Sequence, residues 1–128
     1  LLEELSYKYK YPNIDFMGPQ PHESTLEIIK KSRGVVTATK MYEGQPRLLC
    51  EASINGVPSL FPDFGGMGEF FPDDYILKFN QFDYADLVEK LKIFQNNTLL
   101  IQNTESLNIY INQVLSKTVL KKSFETLL

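Results

Sequence analysis

The sequence contains a single cysteine, Cys50, and no apolar run of the roughly 18 to 20 residues that a membrane-spanning helix needs. A lone cysteine cannot form a disulfide within the chain, which favours a reducing compartment. No signal-peptide pattern opens the sequence, and it has no internal repeat or low-complexity tract. We therefore expect a soluble, cytoplasmic protein.

An excess of basic residues is also absent. Lys and Arg total 13 and Asp and Glu total 16, giving a net charge of −3, and this balance favours neither a nucleic-acid nor a membrane-surface partner. The 128 residues are 43% hydrophobic, which is enough for one hydrophobic core and too little for two. We expect residues 1–128 to form one domain or part of one.

Strand-like and helix-like segments alternate along the chain. Apolar and β-branched runs predict strands at residues 14–17, 35–39, 57–61 and 75–79. Apolar periodicity predicts helices at residues 22–32 and 46–55, with Gly34 and Gly56 as their stops. This alternation is typical of an α/β fold with a Rossmann-like, mainly parallel sheet and helices on both faces.

The two ends of the chain are predicted to be helical. Residues 1–11 favour a short helix without a cap, although their Tyr–Lys alternation is also compatible with a strand, and we expect the natural domain to begin upstream. A helical tail is expected over about residues 83–128, first capped by Asp83. Its predicted apolar positions are Leu87, Val88, Leu91 and Phe94, then Leu107, Ile111, Val114 and Leu115. Asn96-Asn97 is expected to break the tail between these two groups, and a further break is expected near residues 116–121.

Residues 40–58 place two carboxylates around the start of a helix. Pro46 is predicted at the first helical position, where a missing N–H costs nothing, so Glu51 lies about 7 to 8 Å further along the axis. Glu43 stands just before the helix. A diphosphate at the helix N-terminus would have a carboxylate on either side, each able to accept hydrogen bonds from sugar hydroxyls. The spacing suits a nucleotide-sugar.

Three predicted loops lie at the carboxyl ends of the strands, the edge of a parallel sheet where ligands bind. They are residues 18–21, 40–45 and 63–68. Together with the residues around them, these loops resemble the carboxyl-terminal domain of GT-B glycosyltransferases of family 4, the retaining group 1 transferases. Phe16-Met17-Gly18 is similar to the family's Phe-x-Gly strand end, and Glu43 and Glu51 satisfy its E-x7-E motif. Gly56-Val57-Pro58 and the Gly-Gly-x-x-Glu-like Gly65-Gly66-Met67-Gly68-Glu69 follow in the family's order.

The resemblance implies a nucleotide-sugar, such as a UDP- or GDP-sugar, bound without a metal ion or other cofactor. It implies that Glu43 is the catalytic residue near the donor sugar and that Glu51 binds the ribose. Backbone groups of Gly44, Gln45, Pro46, Arg47 and Leu48 would approach the sugar and diphosphate, and Gly18 and Pro19 would lie near the base. The full-length enzyme would be a hexosyltransferase-like, retaining transferase with a glycan, lipid or protein acceptor.

Two departures from the family pattern qualify this expectation. Pro46 replaces a common glycine and removes a backbone donor. This chain has no counterpart of the family's basic diphosphate ligands or of its amino-terminal acceptor domain. Any peripheral membrane contact would come through that acceptor domain. We therefore expect these 128 residues to be inactive alone, to be an amino-terminally truncated half of the fold, and to be prone to dimerise.

Several residues have a second interpretation. Glu51 could pair with Arg47 at i,i+4, and Glu43 could simply favour the helix dipole. Arg47 is expected to help bind the diphosphate or to be a surface arginine. The glycines of residues 65–68 fit a ligand loop or a tight turn. Glu69 fits a helix cap or a ligand contact, and His22, in a loop near the expected base site, fits a helix cap or an exposed position. For function, the alternatives are a catalytically inactive, transferase-like binding domain and a nucleotide-sugar epimerase.

Overall fold

A sheet of short parallel strands lies at the centre of the fold. The structure is a computed structural model that describes residues 2–44, 46–117, 121–122 and 125–126, and at residues 97 and 101–103 it describes the backbone alone. The strands are β1 (Val35–Val36), β2 (Ser59–Pro62) and β3 (Lys78–Phe79), in the order β1-β2-β3. Both strand pairs are parallel. The predicted α/β class and parallel sheet are confirmed at this level.

The helices alternate with these strands. They are α1 (Leu2–Tyr9), α2 (His22–Lys31), α3 (Arg47–Ile54), α4 (Tyr84–Ile93), α5 (Asn97–Val114) and a 3-10 helix at Met67–Phe70. Within the described residues, no helix combines the length and apolar character needed to cross a membrane. The predicted break near residues 116–121 falls partly outside the described residues.

Side-chain caps begin the last two helices. As predicted, Asp83 Oδ1 accepts a hydrogen bond from the backbone N–H of Asp86 at 3.0 Å, which satisfies a donor that α4 leaves free. Asn96 Oδ1 accepts one from the N–H of Leu99 at 3.2 Å, so the residue predicted to break one helix also starts the next.

Helix α5 packs against α3 and holds its end. Asn108 donates from Nδ2 to the carbonyl oxygens of Ser53 at 3.1 Å and Ile54 at 3.2 Å, satisfying acceptors that the end of a helix leaves open. Gly56 follows with a φ of +72°, the conformation expected of a glycine after a helix. This packing fixes the direction of α3, whose N-terminus faces the candidate site.

The hydrophobic core lies between the sheet, α3 and α5. Its most deeply buried side chains are Leu49, Leu60, Phe61, Met67, Phe71, Leu77, Leu107 and Ile111. Within the predicted tail, Leu107 and Ile111 are therefore confirmed as core positions. In α4, Val88 and Leu91 are exposed, while Leu87, Ile93 and Phe94 pack against the core, so half of the predicted stripe is wrong.

Residues 14–17 do not form the predicted strand. They are exposed and carry no assigned strand structure, with Ile14, Phe16 and Met17 each more than 40% accessible. A short apolar run becomes a strand only when a neighbouring strand pairs with its backbone, and β1 pairs with β2 instead. The predicted strands at 35–39 and 75–79 are present but only two residues long, and the one at 57–61 is shifted by one to two residues.

Gly34 does not stop α2. The helix ends at Lys31 with Ser32 as its C-cap, and the backbone N–H of Ser32 donates to the carbonyl of Ile29. A Cβ on Gly34 would instead collide with the ring of Phe94, so this glycine allows the end of α4 to pack against the chain that enters β1. The signal taken for a helix stop is a packing requirement.

Candidate functional site

The N-terminus of α3 forms the centre of the candidate site. Pro46 is the N-cap, with φ −80° and ψ 81°, and its carbonyl accepts the first helical hydrogen bond, from Cys50 N–H at 3.0 Å. The helix thus starts one residue later than predicted, at Arg47. Pro46 lacks a backbone N–H, but the N–H groups of the first turn remain oriented out of the helix end.

A cavity of about 260 Å³ lies at this helix end, beside the carboxyl end of β1. Four of the predicted site residues line it: Glu43, Pro46, Arg47 and Leu48. The other described lining residues are Thr37, Leu49 and Met67, and none of these three was predicted as a site residue. Thr37 directly follows β1. The predicted strand at residues 35–39 included it, so only the shorter observed strand puts it at the edge of the sheet where ligands bind.

Glu51 lies about one turn further along α3 and is already paired. Its Oε1 accepts a hydrogen bond from Arg47 Nε at 2.7 Å and is 3.7 Å from His22 Nε2. Arg47 Nη2 is 3.4 Å from the same histidine nitrogen. The i,i+4 pair considered as an alternative role of Glu51 is therefore formed, although it has the less favourable order of charges.

His22 is not the cap of α2, because Pro21 occupies that position. Its side chain is half exposed and lies between Arg47 and Glu51, joining the start of α2 to the start of α3. The sequence indicated an exposed histidine in a loop near the site but not this contact. The three side chains form a polar cluster next to the cavity.

Glu43 is exposed at the mouth of the cavity. Within residues 2–44 and 46–117, no group donates a hydrogen bond to its carboxylate or forms an ion pair with it. A carboxylate that is solvated and unpaired can accept hydrogen bonds from a ligand without first breaking a protein contact. In this respect Glu43 differs from Glu51.

The acidic loop (residues 40–44) packs on the glycine loop (residues 63–68). Gly66 N–H donates to the carbonyl of Glu43 at 2.8 Å, and the rings of Tyr42 and Phe64 meet edge to face with centroids 5.9 Å apart. The sequence offered a ligand loop or a tight turn for these glycines. Close approach to the acidic loop is a further role that the tertiary structure adds.

The other described residues of the predicted site are not among those that line the cavity. Gly18 and Pro19 are exposed and do not line it, though the segment that contains them leads to His22. Gly44 lies in the acidic loop with its carbonyl against Gly66. Gln45 lies outside the described residues.

Cys50 is buried in α3, as expected. Burial raises the pKa of its thiol, and the neighbouring Glu51 carboxylate raises this pKa further, so the thiol stays protonated and unreactive. Among the residues that the structure describes, no group of three or more histidine, cysteine or acidic side chains could hold a metal ion. The chemistry of this region lies in Glu43, the helix end and the polar cluster.

No protein-family model matches the chain, and no curated protein matches it. The resemblance described above therefore depends on the ordered motifs alone. Assignment of function depends on the site.

Proposed function

We propose that this chain is the donor-binding part of a retaining GT-B glycosyltransferase, which transfers a sugar from a nucleoside-diphosphate sugar to a glycan, lipid or protein acceptor. The observation that carries the proposal is the cavity that Glu43 and Arg47 line at the N-terminus of α3, where Glu43 has no partner among the described residues. A helix N-terminus attracts phosphate groups through its free N–H groups and dipole. Arg47 adds a positive charge at the same end.

In this proposal Glu43 contacts the donor sugar and stabilises positive charge that develops at its anomeric carbon. Glu51 accepts hydrogen bonds from the ribose hydroxyls, and Arg47 holds the Glu51 carboxylate in place or turns to the diphosphate. His22, whose Nε2 is 3.7 Å from Glu51 Oε1, is in this proposal a further polar group near the ribose. The proposal includes no metal ion or other cofactor, as the resemblance implies, and the helix end and Arg47 supply part of the positive charge for the diphosphate.

The experiment is a calorimetric titration of the full-length protein with UDP, GDP and ADP, followed by the nucleoside of whichever nucleotide binds best. Glu51→Ala should weaken nucleotide and nucleoside alike by about tenfold or more, the value of a hydrogen bond to a charged group. Arg47→Ala should weaken the diphosphate more than the nucleoside. Glu105→Ala, an exposed position on α5, is the matched control and should change neither.

Binding of none of the three nucleotides by the full-length protein would refute the proposal. An unchanged affinity after Glu51→Ala would remove the ribose role and favour the paired, structural role of this residue. We expect no turnover by the 128 residues alone, because catalysis requires an acceptor held against the donor. Robust transfer by this chain would contradict the two-domain account.

A transferase-like binding domain without catalysis is the second candidate. The ion pair between Arg47 and Glu51 favours it, because a Glu51 carboxylate that already accepts a hydrogen bond from Arg47 has a structural role without the ribose of a donor. The two candidates differ in the effect of Glu43→Gln. In an active transferase this change abolishes turnover while donor binding persists, whereas a binding domain has no turnover to lose.

A further inference from the structure

We propose that Gly66 is a positioning residue for Glu43: a close backbone contact between the glycine loop and the acidic loop sets where the Glu43 carboxylate stands in the donor cavity. This inference rests on the proposed function for its ligand. Of the residues predicted to bind the donor, only Glu43 and Gly44 take part in this contact. Gly66 would act through Glu43 and not by touching the donor.

The first step of the argument is the distance between the two backbones. Gly66 N–H donates to Glu43 carbonyl oxygen at 2.8 Å, and a Cβ on Gly66 would lie 2.5 Å from the carbonyl oxygen of Gly44. Real Cβ atoms do not approach a backbone oxygen this closely, since protein interiors are already packed to van der Waals contact. Any side chain at 66 must therefore push the acidic loop away.

Gly65 adds to the same contact. Its φ is +67°, and a Cβ there would lie 3.0 Å from the carbonyl oxygen of Glu43. Two adjacent glycines thus face the same two residues of the acidic loop. A tight turn by itself would explain the positive φ of Gly65, but not the short distance from Gly66 to Gly44.

The second step links this contact to the cavity. Met67 directly follows Gly66, is buried, and lines the cavity on which Glu43 also lies. The glycine loop therefore fixes both the backbone of the acidic residue and one wall beside it. A displacement of a few tenths of an ångström is enough to weaken a hydrogen bond from a fixed carboxylate to a sugar hydroxyl.

The test compares Gly66→Ala with Gly68→Ala. Gly68 belongs to the same loop, but a Cβ there would meet only the side-chain oxygen Oδ1 of Asp63, at 3.1 Å, and that exposed side chain can move. In amide NMR spectra of the 128-residue chain, Gly66→Ala should shift the signals of Glu43 and Gly44, and Gly68→Ala should leave them in place. Unmoved signals in Gly66→Ala would overturn the inference whether or not any nucleotide binds.

The functional readout is a double-mutant cycle in the full-length protein, with affinity for the tightest-binding nucleotide-sugar as the measured quantity. Gly66→Ala should weaken affinity in the wild-type background and should change it by less than about twofold in a Glu43→Ala background, because both changes remove the same contact. A purely structural defect would lower affinity by the same factor in both backgrounds, which would overturn the positioning role. If the wild-type protein binds no nucleotide-sugar, the proposed function fails, and the donor-directed part of this inference fails with it.

A second variant keeps the test valid if Gly66→Ala does not fold. Phe64→Ala removes the edge-to-face contact with Tyr42 without adding atoms to the loop. It should shift the Glu43 signals and weaken donor affinity in the same direction, with a smaller effect. Full donor affinity together with unshifted signals in this folded variant would count against the contact.

Discussion

Tyr75→Phe is the change whose cost can be derived most directly from the structure. The Tyr75 hydroxyl donates to the carbonyl of Ser59 at 2.6 Å and accepts from the N–H of Ser59 at 3.0 Å. Ser59 begins β2 on the side where β3 does not yet reach, since β3 first pairs at Phe61. The Tyr75 hydroxyl thus replaces the two backbone hydrogen bonds that Ser59 would make with a longer β3.

The substitution keeps the ring, which packs on Phe61 and Phe71 with centroids 5.8 and 4.9 Å away. It leaves one donor and one acceptor of the fully buried Ser59 without partners. Each such group costs about 1 to 3 kcal/mol, and with some relief from water we expect a total loss of about 2 to 4 kcal/mol. For a chain of this size the midpoint of thermal unfolding should fall by about 10 °C.

The assay is urea and thermal unfolding followed by far-ultraviolet circular dichroism, with Tyr84→Phe as the matched control because Tyr84 is exposed. If the free energy of unfolding has the same slope against urea concentration in Tyr75→Phe and in the wild type, the change lies in stability and not in the extent of unfolding. A loss below about 0.5 kcal/mol, the range of ordinary surface substitutions, would refute the reasoning.

The same residue predicts an alkaline pH dependence. Burial raises the pKa of the Tyr75 phenol, against a smaller lowering by its hydrogen bond with Ser59. Above about pH 10 the unfolded chain releases this proton while the folded chain keeps it, so the free energy of unfolding falls as pH rises, by up to about 1.4 kcal/mol per pH unit. Tyr75→Phe should make this fall less steep, which unfolding curves at pH 9, 10 and 11 would measure.

Three further predictions concern the stability and reactivity of the chain. Gly34→Ala should destabilise the fold by about 1 to 3 kcal/mol, because the new methyl group collides with Phe94; a second substitution, Phe94→Leu, should restore part of the urea midpoint, and no recovery would exclude that collision as the cause. Asp83→Ala should cost about 1 kcal/mol through loss of the α4 cap, whereas Asp83→Asn retains an acceptor and should cost less; equal losses in urea would contradict the cap. Cys50 should react with a thiol reagent at pH 8 at least about tenfold faster in the urea-unfolded chain than in the native one, because burial raises its pKa and restricts access, and equal rates would contradict its burial.

Local sequence signals predicted the helices better than the strands. Asp83 and Asn96 act through side-chain oxygens a few atoms from the backbone groups they satisfy, so their roles are visible in a short window of sequence. Residues 14–17 carry an apolar run as clear as that of 35–36, yet only the latter pair with a neighbour. Strand pairing is a property of two segments, and a pattern in one of them cannot decide it.

The sequence predicted only the part of the candidate site whose residues are neighbours along the chain. Glu43, Pro46, Arg47 and Leu48 line one cavity because they are neighbours along the chain. His22 and Met67 join this region only through the packing of α2 and of the glycine loop. The ion pair between Arg47 and Glu51 depends on the conformation of both side chains. Their i,i+4 spacing on a helix permits this pair but does not require it.

By itself, the sequence determined that this chain has alternating helices and parallel strands, and that its acidic residues stand around the start of α3. Those features follow from periodicity, caps and spacing, which act over a few residues. Only the tertiary structure decided which residues meet there: the glycine loop against Glu43, His22 beside Glu51, and Tyr75 in place of a missing strand. These contacts join segments far apart in the chain, and their geometry is set by how the core packs.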